Sequence, residues 1–229
     1  TSQCQAPNGE LYCCLWFGVY FFRDAQGMSR GKIIIFSGPS GAGKTTLYKR
    51  LLASRRLRGK LVKTISVTTR PMRPGERNGC DYFFVSRKMF LHKKTAGHFL
   101  ESEKVFGNYY GTPQKQARDF LAAGKHVLLC IDVKGARTAC RKFPGAVKIF
   151  IKTSSLAILK ERLRKRGSEA GAAMDVRLET ARRELREAKH YDYVVVNDNL
   201  HKAARKLYKI VCSRIQAEPE SWNKIQAKP

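Results

Sequence analysis

From Lys32 onward, two kinds of apolar pattern alternate along the chain. The first is a short, nearly continuous run rich in β-branched residues. Such runs predict strands over residues 32–37, 62–68, 126–132, 147–152 and 193–196. The second is a longer stretch in which apolar residues recur every three or four positions. It predicts helices over residues 44–54, 113–123, 155–166, 175–190 and 200–216. In the fourth of these, Leu178, Ala181, Leu185 and Ala188 form one stripe, and Glu179 and Arg183 form an i,i+4 pair on the wet side. Strands that are apolar throughout are covered on both faces. Strands and helices in alternation imply an α/β fold with a parallel sheet and crossover helices.

The rhythm changes between Tyr82 and Thr112. There, YFFVS, a polar stretch and FLESEKVFGNYYGT read as short strands with a turn at Gly107-Asn108, a small insertion carried by the main sheet. Residues 1–30 show neither period and are expected to be an extension outside the fold, since MSRGKIIIFSG, from Met28, reads as a start running into the first strand. A short amphipathic anchor or targeting segment is the alternative for that extension. The domain is expected over residues 31–216, and a frayed tail over 217–229. The longest apolar run, residues 11–22, is shorter than the ~20 residues that span a bilayer.

Composition adds a charge bias. The 229 residues hold 45 Lys+Arg against 18 Asp+Glu, a net charge of +27. That balance favours polyanions and phosphorylated small molecules without choosing between them, and nucleic acid is expected only as a weak, charge-driven partner. The 7 cysteines include no C-x-x-C, and the 5 histidines form no ligand-spaced cluster with them. Reduced thiols in the cytoplasm are expected, and a zinc site is not.

Residues 38–45, GPSGAGKT, fit G-x-x-x-x-G-K-[ST] between a predicted strand and a predicted helix. This is the context in which such a loop binds nucleotide phosphates. The backbone of the loop Gly38, Pro39, Ser40, Gly41, Ala42 and Gly43 can turn its N–H groups inward, Pro39 having none to give, and the helix N-terminus adds partial positive charge. Lys44 is expected to reach the β and γ phosphates of ATP. Thr45 is expected to ligate Mg²⁺, and Thr46 to complete the ATP-binding turn.

A second signal lies after the strand predicted at 62–68. Arg70 and Arg73 sit three apart in a Pro/Gly-rich loop, with Tyr82 farther on. Arginine's planar fork suits a phosphate, although a solvated basic loop has the same composition. The run from Ser66 to Tyr82, SVTTRPMRPGERNGCDY, resembles the GMP-binding loop of the guanylate kinase family. Phe99-Leu100-Glu101 and the segment from Gly107 to Thr112 resemble that family's base-recognition segment. The likeness runs from about Lys32 to Ile215. It implies that Arg70, Arg73, Tyr82 and Tyr110 hold the GMP phosphate, and that Ser66, Glu101 and Thr112 read guanine. The chemistry agrees: a carboxylate accepts from guanine N1–H and N2–H₂ together, and hydroxyls donate to O6.

Arg162, Arg166 and Arg177 resemble the family's lid, which spans about 162–178, and the resemblance assigns them to the transferring phosphoryl group. Gly171 and Ala172 stand where that lid usually carries acids. Asp132 resembles the carboxylate that acts on Mg²⁺. Cys130 stands where the family carries a second carboxylate, so a high Mg²⁺ requirement is expected. Asn197-Asp198 resembles the segment near adenine. Together these imply a P-loop nucleoside monophosphate kinase fold with a GMP-binding insertion at about 64–113 and a helical lid. The implied reaction is Mg²⁺-dependent phosphoryl transfer from ATP to GMP. A catalytically silent scaffold of the same fold is the alternative class, and an intact Lys44-Thr45 argues against it.

Overall fold

The computed structural model describes residues 31–165 and 172–215. The expected extension at 1–30, Arg166, Gly171 and the tail at 217–229 lie outside the described residues. In chain order the elements are β1 (Ile33–Ser37), α1 (Lys44–Leu52), β2 (Leu61–Lys63), β3 (Val67–Thr68), β4 (Phe83–Phe84), α2 (Arg87–Thr95), β5 (Phe99–Val105), β6 (Asn108–Pro113), α3 (Gln114–Ala122), β7 (His126–Cys130), α4 (Val133–Lys142), β8 (Val147–Lys152), α5 (Leu156–Lys165), α6 (Ala172–Arg186), β9 (Tyr193–Val196) and α7 (Leu200–Arg214).

Five parallel strands in the order β2-β7-β1-β8-β9 form the central sheet. The sheet is apolar on both sides because alternate residues of each strand feed different cores. Ile34, Phe36, Leu128, Ile149, Ile151 and Val195 pack with α1 and α7. Ile33, Ile35, Val127, Leu129 and Ile131 pack with α3 and α4. A second sheet, β4-β3-β6-β5, carries the insertion. It closes over a smaller cluster in which Phe90 stacks on Phe99 and Tyr109.

Four local readings are corrected. The strand expected at 62–68 is two strands in two sheets: β2 pairs with β7, whereas β3 pairs with β4 and β6. The chain crosses between sheets at Thr64 to Ser66, where Ile65 N donates to Gln116 Oε1 at 2.8 Å. The polar stretch after Val85 is helix α2. Only Phe90 of that helix is buried, so it leaves no apolar stripe, and its start is fixed by the Ser86 hydroxyl, which accepts from Met89 N. Helix α4 was not expected either. Its buried residues are the small Val133, Gly135, Ala136 and Ala139, and Asp132 caps it. The β5–β6 turn is Phe106-Gly107, one residue earlier than read, because Asn108 pairs with Val105. Both turn residues have positive φ, 46° and 83°, which matches the twist of a two-residue hairpin.

Candidate functional site

The loop after β1 is shaped by glycines that nothing larger could replace. A Cβ on Gly38 would lie 2.0 Å from Ile151 O, and one on Gly43 would lie 2.2 Å from Asn197 Nδ2. Both residues also have positive φ, 132° and 88°. The space kept free at Gly43 lets Asn197 Nδ2 donate to Ala42 O at 2.7 Å, which ties the loop to the end of β9. The Oδ1 of the same Asn197 is buried and has no partner among the described residues, leaving an acceptor for a donor from outside the chain. Helix α1 starts at Lys44 without a side-chain cap, so its first N–H groups remain open to an anion. Lys44 Nζ bonds Gly38 O at 2.5 Å and Pro39 O at 3.0 Å, folded back over the loop it serves. Thr45 and Thr46 are exposed on the first turn.

The residues expected to hold the acceptor converge from separate segments. Arg70 is only 9% exposed. Its guanidinium donates to Glu76 Oε1 at 2.9 Å and to Pro71 O at 2.6 Å, and it lies 5.5 Å from the Tyr82 ring centre. Tyr82 meets Tyr110 edge-on at 6.1 Å. Glu76 also accepts from Arg73 N at 2.9 Å, so one carboxylate fixes both arginine positions. Burial would raise the Glu76 carboxyl, but its bonds to Arg70 and the Arg73 N–H hold it below the ordinary carboxylate range.

Deeper in, Glu101 is 5% exposed and accepts from Thr112 Oγ1 at 2.6 Å across the β5–β6 ladder. Burial pushes its carboxyl up to about 7; the Thr112 bond opposes this and the charge of Asp132 adds to it. Val67 opposite Gly111 sets the register that carries buried Ser66 toward Thr112. A Cβ on Gly135 would sit 2.6 Å from Glu101 Oε2, so the first turn of α4 backs directly onto this carboxylate.

Asp132 is near enough to feel the charge of Lys44 and to act on Glu101. Its Oδ1 accepts from Gly135 N at 2.6 Å, and burial raises its pKa. Burial also raises the Cys130 thiol, against the pull of Lys44 and Lys63, so position 130 carries no charge. Of the lid arginines, Arg162 donates to Asp198 O at 3.3 Å, and Arg177 is buried with its guanidinium 4.5 Å from the Phe106 ring centre. Arg177 thereby joins α6 to the hairpin tip of the insertion.

Several residues of this region carry no local signal in the sequence. Glu76 was only part of a motif. Glu184, half-buried on α6, has a carboxyl pushed up to about 7 by burial; Lys44 opposes this and Asp132 adds to it. Phe106, Gly135 and Lys63 likewise become visible only once the chain is folded.

Among known proteins, the guanylate kinase family model matches residues 30–214. The guanylate kinase of Thermotoga maritima is 41% identical over 197 residues, covering 86% of this chain and 94% of that protein. That of Synechococcus sp. (strain JA-3-3Ab) is 42% identical over 179 residues, covering 78% and 81%. The crystal structure of guanylate kinase from Anaplasma phagocytophilum superposes with a TM-score of 0.68 at 35% identity, covering 81% of this chain and 86% of that one. The chain belongs to the guanylate kinase family.

For a guanylate kinase, the donor set suits Mg²⁺ held largely by nucleotide. Among the described residues no group of three or more His, Cys, Asp or Glu could hold a metal ion. The Thr45 hydroxyl and Asp132 carboxylate are hard oxygen donors, as a cation that keeps waters and phosphate oxygens requires. No described helix is long and apolar enough to cross a membrane.

Proposed function

We propose that this guanylate kinase family member transfers the γ-phosphoryl group of ATP to GMP, giving ADP and GDP, and that it works in the cytoplasm. The observation that carries the reading is the buried Glu101–Thr112 pair, on the same inserted sheet whose β3 and β4 flank the Arg70–Glu76–Tyr82 cluster, in a chain that also holds a glycine-shaped phosphate loop. The catalytic unit is residues 31–216, with the acceptor part at about 64–113 and the lid at about 162–178.

Each side chain is given a task that its place supports or, for Arg166, which lies outside the described residues, that the family likeness implies. The loop from Gly38 to Gly43 cradles the ATP phosphates with backbone N–H groups. Lys44 leaves its carbonyl partners to meet the β and γ oxygens. Thr45 and Asp132 would hold Mg²⁺, which when bound would supply positive charge against the phosphate oxygens. Arg70, Arg73, Tyr82 and Tyr110 fix the acceptor phosphate in line. Glu101 accepts the two guanine donors, while Ser66 and Thr112 address O6. Arg162, Arg166 and Arg177 neutralise charge on the moving phosphoryl group. The acceptor oxygen is already anionic, so no general base is needed and positioning carries the rate.

The net charge gives one secondary property: weak nucleic-acid binding, screened by salt. The primary reading is tested by incubating the protein with ATP, GMP and Mg²⁺. ADP and GDP should form in equal amounts, and Lys44→Ala should form neither. ADP without GDP, or no turnover, would overturn it.

A further inference from the structure

Lys63 ends β2 at the point where the chain leaves the central sheet for the insertion. Its half-buried ammonium lies 5.2 Å from the Tyr48 ring centre on α1 and 5.9 Å from that of Tyr82. The Tyr82 ring therefore carries two cations at contact range, Lys63 and Arg70. The only hydrogen bond made by Lys63 Nζ among the described residues is to Thr64 O, at 3.0 Å.

The groups around Lys63 answer its charge only in part. From β7 it faces Cys130, a neutral thiol. From the loop before β4 it faces Asp81, already engaged by Lys49 Nζ at 3.1 Å and by Arg77 N at 3.0 Å. From α1 it faces Lys49, which repels it. Burial lowers the Lys63 pKa, the Cys130 and Asp81 positions oppose the fall, and Lys49 adds to it. A half-buried ammonium without a carboxylate partner is held at a disadvantage that an arriving anion removes.

We infer that Lys63 is a further substrate-holding residue of the acceptor site, a cation that binds the monophosphate of GMP together with Arg70 and Arg73. The inference rests on the reading of the Arg70–Tyr82–Tyr110 cluster as the acceptor-phosphate site. Cys130 is part of the arrangement, because a neutral side chain there leaves the ammonium to the substrate. A carboxylate at 130 would pair with Lys63 and compete with GMP.

Calorimetric titration of GMP into the full chain tests this, with Arg70→Ala as a control. At pH 7.5, Lys63→Met should weaken GMP binding about ten- to hundredfold, the range of one charge-assisted hydrogen bond. The KM for ATP should stay within twofold. Lys63→Arg should restore GMP affinity to within about threefold, by the same charge logic. The melting temperature of ligand-free Lys63→Met should be unchanged or higher, because an unpaired ammonium has been removed; a structural role would lower it. GMP affinity of the wild type should also fall as pH rises through the lowered Lys63 pKa, beyond any loss shared with Lys63→Met, and Lys63→Arg should lack that extra loss. Should Lys63→Met fail to fold, the wild type and Lys63→Arg still decide through this pH comparison: identical alkaline profiles overturn the inference. GMP binding by Lys63→Met within twofold of wild type, with Arg70→Ala impaired, overturns it while leaving the acceptor site intact. Retention of GMP by both variants overturns the site reading, and the inference with it.

Discussion

At the donor loop, consecutive residues supply backbone N–H groups, and glycines at 38 and 43 keep neighbours away. At the acceptor pocket, Ser66, Arg70, Tyr82, Glu101 and Thr112 arrive from separate strands and loops and supply side chains. The first arrangement suits phosphate, which every nucleoside triphosphate carries, through a shape that the backbone alone can hold. The second, in the proposed function, reads one base through a buried carboxylate, and its residues are assembled with a second sheet, β4-β3-β6-β5. Injury to the donor loop should therefore abolish transfer to any acceptor. Injury to the acceptor pocket should change what is accepted and leave ATP binding in place.

The strongest break in this contrast is at Gly43. Gly43→Ala places a methyl 2.2 Å from Asn197 Nδ2 at a φ of 88°. Either Asn197 gives up its bond to Ala42 O or the loop distorts, and kcat should fall by about 10³-fold or more with every acceptor tried, the scale of losing preorganised donors around the phosphates. Steady-state kinetics with GMP and with AMP would show whether the loss is acceptor-independent.

Glu101→Gln should be next in size and confined to the other half. An amide accepts on one oxygen only, and its NH₂ opposes the guanine donors. The kcat/KM for GMP should fall about 10²–10³-fold, while the KM for ATP stays within twofold.

Removing a support should cost less than removing a contact. Glu76→Ala frees the buried Arg70 guanidinium from its 2.9 Å partner. Arg70 then meets the phosphate without a fixed geometry, and the KM for GMP should rise about tenfold, in line with one charge-assisted bond. A kcat loss without a KM change would show that Glu76 acts elsewhere.

The smallest effect is with pH. Guanine donors favour the ionised form of Glu101, whose carboxyl stands at about 7 in the free pocket. GMP binding should therefore release a proton and weaken as pH falls below about 7, approaching tenfold per unit. Glu101→Gln should lack that component. Since phosphate protonation is common to both forms, the difference between the two profiles isolates Glu101.

The same contrast explains what could be read before the fold was known. The donor loop is legible because its residues are contiguous and flanked by a strand and a helix with clear apolar periods. The central sheet is legible because its strands are apolar throughout. The proposed acceptor pocket is not local, and its residues were singled out by likeness of motifs rather than by period. Helices α2 and α4 escaped because one buries a single large residue and the other buries small ones. The strand at 62–68 escaped division because β-branched residues run through both halves with no Gly or Pro between them, though they belong to different sheets. Glu76 and Lys63 take their meaning from partners that only folding brings near: Arg70, six positions away across a turn, and Tyr82, in the loop just before β4. Asp132 is expected from its motif to act on Mg²⁺; what the structure shows of it is the cap of α4.

Base discrimination tests the account most directly. The ratio of kcat/KM for GMP to that for AMP, measured by coupled ADP release in the wild type, should be at least about 10³–10⁴, because adenine leaves the buried carboxylate unpaired. The ratio should fall at least tenfold in Glu101→Gln. A wild-type ratio near one, or a ratio that Glu101→Gln leaves unchanged, would contradict the assignment of the Glu101–Thr112 pocket to guanine.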